Sequence, residues 1–239
     1  MGQKIRPDSL RLGIIGDWQS RWFPKNGYPK SLQEDELIRA VIRERLTEAG
    51  IISIIIERPL DNSWKVTVKV GRPGLAIGRG GKGIEDLTKE IESRLKALIK
   101  KRVIRDIKIS DKRKLPPVSV KMNIEEMKRN DVSAMYVAQL IAWDLEKRTP
   151  GRRVLKRHLD LMIQNREVKG AKIKLSGRID GAEISRREML SAKKLPLQTL
   201  RANIDYGTAT AHNTYGTVGV KVWIYKGDVF EEKSKKLDN

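Results

Sequence analysis

The sequence predicts an α+β protein in two domains, and three observations carry that reading. At 239 residues, 39% of them hydrophobic, the chain is long enough for two cores of ordinary size. Residues 31–98 run through helix, strand, strand, short helix, glycine-rich loop and helix. Residues 130–224 place two helices before three strictly alternating strands, the pattern of an antiparallel sheet with helices on one face.

Residues 1–30 are basic, rich in Gly, Pro and Trp, and without a sustained period; Lys4, Arg6, Arg11, Arg21, Lys25 and Lys30 outnumber Asp8 and Asp17. They read as an extended arm that orders against a partner. Ser31-Leu32-Gln33-Glu34 has the form of a capping box, the hydroxyl accepting the third amide while the carboxylate reaches back. Leu37, Ile38, Val41, Ile42 and Leu46 then make one helical stripe, which Gly50 stops. A β-branched run, Ile51–Arg58, and a turn at Pro59-Leu60-Asp61-Asn62 lead to Trp64, Val66, Val68 and Val70, alternating as a half-buried strand. The short apolar Leu75-Ala76-Ile77 precedes Gly78-Arg79-Gly80-Gly81-Lys82-Gly83, and Ile84, Leu87, Ile91, Leu95 and Leu98 mark a long helix.

A strongly basic stretch covers residues 100–114, and Val118, Val120, Met122 and Ile124 alternate as a strand. Asn130-Asp131 is placed to cap a helix carrying Val132, Met135, Tyr136, Leu140 and Ile141. Thr149-Pro150-Gly151 breaks it, and a third long helix is expected from about Arg152 to Val168. The three strands are marked by Ala171, Ile173 and Leu175, by Leu200, Ala202, Ile204 and Tyr206, and by Val218, Val220, Val222 and Ile224. Between the first two, Gly181–Leu190 reads as a short helix, and residues 229–239 as a frayed tail.

Fifty Lys and Arg stand against thirty Asp and Glu, a formal net charge of +20. Such a chain repels itself, and a polyanion that sheds its counterions on binding relieves the repulsion. Nucleic acid leads as partner, an anionic membrane surface follows. Cysteine is absent and only His158 and His212 are present, so disulfides are excluded and neither a metal site nor a cofactor is expected. No apolar run approaches the roughly 20 residues that span a bilayer, and the start lacks a signal-peptide core. The chain is expected to be soluble and cytoplasmic.

Residues 78–83 spell G-x-G-x-x-G, so a dinucleotide reading must be tested. Arg72-Pro73-Gly74 separates the strand from the loop, and Lys100-Lys101-Arg102 stands where a ribose-binding carboxylate belongs. A Walker loop fails as well, because Gly83 follows Lys82 in place of Ser or Thr. The better pattern is Gly-x-x-Gly, Gly78-Arg79-Gly80-Gly81, between a short helix and a long one. Glycines let backbone approach a sugar-phosphate chain, and helix N-terminal amides face its oxygens, with Arg79 and Lys82 adding charge. This resembles the KH module in its type II element order, which clamps about four single-stranded nucleotides. A ligand-free helix cap is the competing reading.

A second constellation is Arg152, Arg153, Lys156 and Arg157, like charges paired at i,i+4 on one helix. That clustering costs stability which a polyanion on the face would relieve; a merely solvated basic face is the alternative. Catalysis finds little support. Glu125-Glu126 and Glu231-Glu232 are neighbours that point apart, His158 has no nucleophile at triad spacing, and His212 sits in a loop beside Asn213 and Thr214. No enzyme is expected. Trp143 and Leu140 read as core, whereas Trp18 and Trp22 among arginines suit either stacking on RNA or packing.

The second half makes the match specific. Residues 175–186 (Leu-Ser-Gly-Arg-Ile-Asp-Gly-Ala-Glu-Ile-Ser-Arg), 200–206 (Leu-Arg-Ala-Asn-Ile-Asp-Tyr), Thr214-Tyr215-Gly216 and 219–224 (Gly-Val-Lys-Val-Trp-Ile) resemble the signature of the universal small-subunit ribosomal protein family "S three". Gly2-Gln3-Lys4 through Arg11-Leu12-Gly13-Ile14 looks like its bacterial opening. The resemblance implies an N-terminal type II KH domain and a C-terminal α+β domain whose antiparallel sheet is packed by helices. It places the boundaries at 1–30 for the arm, 31–127, 128–228, and 229–239 for the tail, with an insertion near 101–115. Val118–Ile124 would complete the first sheet, Val103–Ile109 being the other candidate strand.

The family binds ribosomal RNA on the head of the small subunit, beside other head proteins, and lines the channel by which mRNA enters. Carried over, Lys4, Arg6 and Arg11 of the arm would contact ribosomal RNA. Arg152, Arg153, Lys156 and Arg157 would face incoming mRNA, with a passive part in unwinding. Arg178 and Arg186 would face RNA or neighbouring proteins. A free regulatory KH protein would keep the glycine loop without needing the second signature. Membrane binding fits the charge but not the core-sized apolar residues of the basic helix.

Overall fold

The computed structural model describes residues 5–23, 27–60, 62–106, 117–127 and 131–230, with residues 103–106 described by backbone alone. The chain divides into two compact units, Trp18–Met127, and Met1–Asp17 together with Lys128–Asn239. The single-turn helix α1 (Pro7–Leu10) thus belongs with the second half of the chain.

The Trp18–Met127 unit runs β1 (Ser20–Arg21), α2 (Tyr28–Arg45), β2 (Ile51–Leu60), β3 (Ser63–Val70), α3 (Pro73–Ile77), α4 (Lys82–Asp106) and β4 (Ser119–Glu126). The sheet order is β1-β2-β3-β4, and only the β2/β3 hairpin is antiparallel. β4 lies parallel to β3 without a break in register, from Ser63↔Ser119 to Val70↔Glu126. That parallel pairing needs a crossover, which α3 and α4 supply. Trp64, Val66, Val68 and Val70 are buried, as their alternation predicts, against Ile38, Val41 and Ile42 of α2 and Leu87, Ile91 and Leu95 of α4.

Three expectations shift here. α2 starts at Tyr28, ahead of the predicted capping box: Gly27 takes a left-handed φ of 86° and Pro29 enters the first turn. The Glu34 carboxylate does not reach back but accepts from Arg58 and Arg102. The helix ends at Arg45, and a 3₁₀ turn, Thr47–Ala49, fills the gap to Gly50 at φ 71°. Residues 103–106 continue α4, so Val103–Ile109 does not begin as a strand, and the sheet is completed by β4. The predicted insertion therefore opens as helix. Its residues 107–115, like Lys4, the 128–130 stretch and the tail from 231, lie outside the described residues.

The other unit runs α1, α5 (Ala134–Glu146), α6 (Gly151–Gln164), β5 (Gly170–Gly177), β6 (Arg186–Lys193), β7 (Ala202–Asn213) and β8 (Gly216–Asp228). Its sheet is antiparallel throughout, in the order β6-β5-β8-β7. α5 and α6 bury Ile141, Leu145, Val154, Leu155 and Met162 against Ile173, Leu175, Val220, Val222 and Ile224. Close approach of α5 depends on Gly207 of β7, where a Cβ would overlap the backbone of Ala134. Asp205 also fixes this junction: its carboxylate accepts the Ala134 amide at 2.8 Å.

The sheet has four strands, not three, because Gly181–Leu190 is not a helix. Ile179–Gly181 makes a 3₁₀ turn and Arg186–Lys193 pairs with β5 as an edge strand. At the sheet edge most of its residues stay exposed, so the period that marks a buried strand is missing. The N-cap position of α5 is Ser133, with no cap bond from its side chain; Asp131 pairs with Lys226, and Asn130 lies outside the described residues. Its buried stripe is Ala134, Val137, Ala138, Ile141, Ala142 and Leu145, rotated from the predicted one because small residues allow contact with the sheet. α6 ends at Gln164, and β7 starts at Ala202, beyond Leu200.

The arm is not one extended segment. Arg11 is 2% exposed. Its guanidinium donates to the carbonyls of Pro7 (2.9 Å), Ala202 (2.7 Å), Leu197 (3.0 Å) and Thr199 (2.8 Å), fastening α1 to the start of β7. Trp22 donates to Asp35 at 2.7 Å, and Arg58 lies 5.3 Å from the ring centres of both Trp22 and Trp64. Trp22 is therefore engaged within its unit, whereas Trp18 is 61% exposed.

Candidate nucleic-acid interface

Two exposed basic surfaces stand out, one on each unit. The first is built from the α3–α4 junction. Gly71 and Arg72 donate to the carbonyls of Gly50 and Ala49, which aims the chain out of β3, and Pro73 starts α3. Gly78 follows at φ 70°, and Gly80 and Gly81 at 63° and 81°, conformations in which a Cβ is strained. Gly83 serves differently: a Cβ there would come within 2.9 Å of the carbonyl oxygens of Ala76 and Ile77. The loop is thus a tight reversal, closed by the Lys82 amide donating to the Arg79 carbonyl at the start of α4.

Arg79 and Lys82 stand exposed on it, and so do Leu75 (57%) and Ile77 (38%). Cations beside exposed aliphatics suit a strand that offers phosphates on one side and base faces on the other. Sequence reasoning named all of Gly78, Arg79, Gly80, Gly81 and Lys82. It missed the exposed Leu75 and Ile77, whose apolar run reads as core until burial is known.

The second surface is the outer face of α6. Val154, Leu155, His158, Leu159 and Met162 are buried, which leaves Arg152, Arg153, Lys156 and Arg157 exposed on the opposite side. His158 Nε2 lies 2.8 Å from Asp144 Oδ2 of α5, a packed histidine, and Arg157 reaches the same carboxylate at 3.8 Å. Gly151 opens the helix because a Cβ would meet Ile179 Cγ2 at 2.7 Å. Its amide donates to Asp180 Oδ1 at 2.8 Å, so a residue 29 positions on caps the basic helix.

The other predicted residues divide by exposure. Arg186 is half exposed and pairs with Glu188 at 3.1 Å. Arg178 turns inward, donating to the carbonyls of Ala182 and Tyr215 at 2.9 Å each, and so closes the loop that carries Asp180. Arg6 is exposed, paired with Asp8 at 2.6 Å and 5.4 Å from the Tyr206 ring centre. Burial takes Arg11 out of the set expected to touch RNA, since each of its three guanidinium nitrogens already donates to a carbonyl. From the basic stretch, Arg102 is likewise spent on Glu34, Gln33 and the Lys30 carbonyl.

Among the described residues no helix is long and apolar enough to cross a membrane, and no group of three or more His, Asp or Glu is placed to hold a metal. His212 contributes its backbone amide to Glu146.

Comparison with known proteins follows the same division. Residues 37–132 match the family described as KH domain, and residues 141–224 the family described as Ribosomal protein S3, C-terminal domain. Over 228 residues the chain is 43% identical to small ribosomal subunit protein uS3 of Pseudothermotoga lettingae, covering 95% of this chain and 99% of that one. It is 45% identical to the uS3 of Desulforamulus reducens over 236 residues, 98% and 96% of the two chains. With the uS3 of Legionella pneumophila strain Lens it shares 41% over 239 residues, 100% and 99%.

Proposed function

The chain belongs to the uS3 family of small ribosomal subunit proteins, and on that footing we propose how its two parts share RNA. As a family member it is a structural constituent of the small subunit, not an enzyme, with a KH domain followed by the S3 C-terminal domain. In a bacterium it works in the cytoplasm. Ribosomal RNA is the permanent partner, held by the loop Gly78–Lys82 of the KH domain (31–127), with Lys4 and Arg6 contributing from the arm.

Messenger RNA is the passing partner. In the C-terminal domain (128–228), Arg152, Arg153, Lys156 and Arg157 line the channel by which the message enters, on the head of the subunit. Arg186 faces RNA or a neighbouring head protein. Unwinding here is passive, by holding strands as they part, since the sequence has no nucleotide-hydrolysis motif. The observation that carries this reading is the one-sidedness of α6. Its cations are exposed together while its other face is locked in the core, so the charge is presented at a fixed place rather than spread over a mobile surface.

Two measurements test it. Sedimentation of lysate through rising salt should keep the protein with the small subunit; a protein found only free, or on membranes, would sink the assignment. Replacing Arg152, Arg153 and Lys156 together by alanine should slow translation of structured messages more than subunit assembly. Equal loss on unstructured messages would remove the unwinding role.

A further inference from the structure

The basic face of α6 is not purely basic underneath. Glu188, on the edge strand β6, has its side chain only 13% exposed, recessed beneath the arginine heads. Its Oε1 lies 3.1 Å from Arg186 Nε and 3.9 Å from Arg152 Nε, and Arg152 itself is 88% exposed. Its Oε2 is buried and has no hydrogen-bond partner among the described residues. Asp180 stands beside it, capping Gly151 and lying 3.9 Å from Arg186 Nη2. The cap and the missing Cβ of Gly151 pin the first turn of α6 to the β5–β6 connection, which is what brings Arg152 over β6.

Leaving a carboxylate oxygen buried without a donor is unfavourable. We propose that Glu188 is a positioning residue that competes with RNA phosphate for Arg152 and Arg186. It rests on the reading of α6 as the mRNA face. In the empty state Glu188 holds the two guanidinium groups at fixed places over β6. When RNA arrives, a phosphate takes over Arg152, and as the strand moves on Glu188 takes it back. A message must slide past this face, so each contact has to be released as readily as it is made. A carboxylate already in reach lowers the cost of release.

The consequence runs against ordinary expectation for an acidic residue supporting a binding site: removing the charge should tighten binding. Glu188→Gln, in the full-length protein, is titrated against a fluorescein-labelled single-stranded RNA over a series of salt concentrations. Affinity is expected to rise about two- to fivefold, the range an exposed ion pair corresponds to. The log–log salt slope should stay the same, since a phosphate reaches Arg152 in both proteins and only the competition for it is removed. The gain should vanish in a background carrying Arg152→Ala. Unchanged or weaker binding by Glu188→Gln overturns the proposal, and so does a gain that survives Arg152→Ala.

Glu188→Asp retracts the carboxylate by one methylene while keeping its charge, and should give a smaller gain in the same direction. It decides the matter if the glutamine variant fails to fold, and unchanged affinity counts against the proposal. The underlying reading is tested separately by the triple alanine variant at Arg152, Arg153 and Lys156. If RNA affinity survives that variant, the mRNA face is misplaced. If it falls while Glu188→Gln changes nothing, only the role of Glu188 is lost.

Discussion

Arg11 offers the sharpest test of how the charge is used. The sequence placed it in an RNA-binding arm, whereas the structure buries it among carbonyls of the second unit. Replacing it by alanine removes the donor from four carbonyl oxygens at 2.7–3.0 Å. Those of Pro7 and Ala202 are reached in buried surroundings, and a buried acceptor left without a donor costs about 1–3 kcal/mol. Water can replace the donor at Leu197 and Thr199, which are only partly buried. Burial also disfavours the cation itself, pulling the Arg11 pKa below its usual value, and relief of that offsets part of the loss. A net destabilisation of about 2–4 kcal/mol remains, or about 5–15 °C in Tm for a unit of this size. Thermal melting followed by circular dichroism measures it, beside RNA titrations at several salt concentrations. Arg11→Lys should also melt early, because a single ammonium cannot span a fork of carbonyls. If Arg11→Ala melts within about 2 °C of the parent while its RNA binding loses about one phosphate from the salt slope, the residue faces RNA and the reasoning fails.

The glycine loop gives a graded pair. Gly83→Ala forces a Cβ within 2.9 Å of two carbonyl oxygens and should both weaken RNA binding and destabilise the KH domain, whereas Gly80→Ala points into open space and should cost only the left-handed φ, about 1–2 kcal/mol. Equal melting temperatures for the two would refute the packing role of Gly83. For pH, burial raises the Asp205 pKa, so its ionisation is dearer in the folded state: stability is fullest below the usual carboxylate range and falls as pH rises through the raised value. Asp205→Asn should therefore gain on the parent between pH 4 and pH 7 in urea midpoints, and a constant difference across that range would contradict it. Glu57, Glu90 and Asp228 act with the opposite sign. Hydrogen bonds from Lys65, Arg45 and Tyr225 hold them low, so their contribution is present above the usual carboxylate range and fades as pH falls through it.

What could be read from sequence alone followed burial. The stripe of α2, the alternation of β3 and β8 and the core of α4 were legible because each has one wet face and one dry one, and periodicity records that contrast. β6 was illegible for the same reason reversed, since most of its residues face solvent. The start of α2 was missed because Gly27 in a left-handed turn begins it, and the start of α6 was found within one residue although its cap, Asp180, comes from 29 positions away. Of the binding surfaces, the glycine loop and the four cations of α6 were legible as local patterns. Arg11 and Arg178 were read as outward-facing because a basic residue looks the same in sequence whether its partner is a phosphate or a carbonyl. Leu75, Ile77 and Glu188 gave no signal at all, since their meaning lies in being exposed or recessed against expectation.

That difference bears on the net charge itself. A surplus of +20 suggests a surface ready to neutralise many phosphates, but the described cations include two contrasting populations. Arg11, Arg39, Arg58 and Arg102 are tied inward. Arg39 donates to the Ile54 and Gln19 carbonyls, and Arg58 to Glu34, Asp35 and the Ser31 carbonyl. The guanidinium fork suits this work, joining elements that a point charge could not. Arg79, Lys82, Arg152, Arg153 and Lys156 stand outward on segments whose other faces are locked. The first population ties α1 to β7, α2 to β1 and β2, and α4 to α2, whereas α6 is held by its apolar face and by the Asp180 cap. The charge is therefore partly scaffold and partly interface, and only the interface share enters the release of counterions from RNA. Rigidity comes from arginines tied to carbonyls and carboxylates within their own unit, and the charge open to an RNA partner from cations that stand outward.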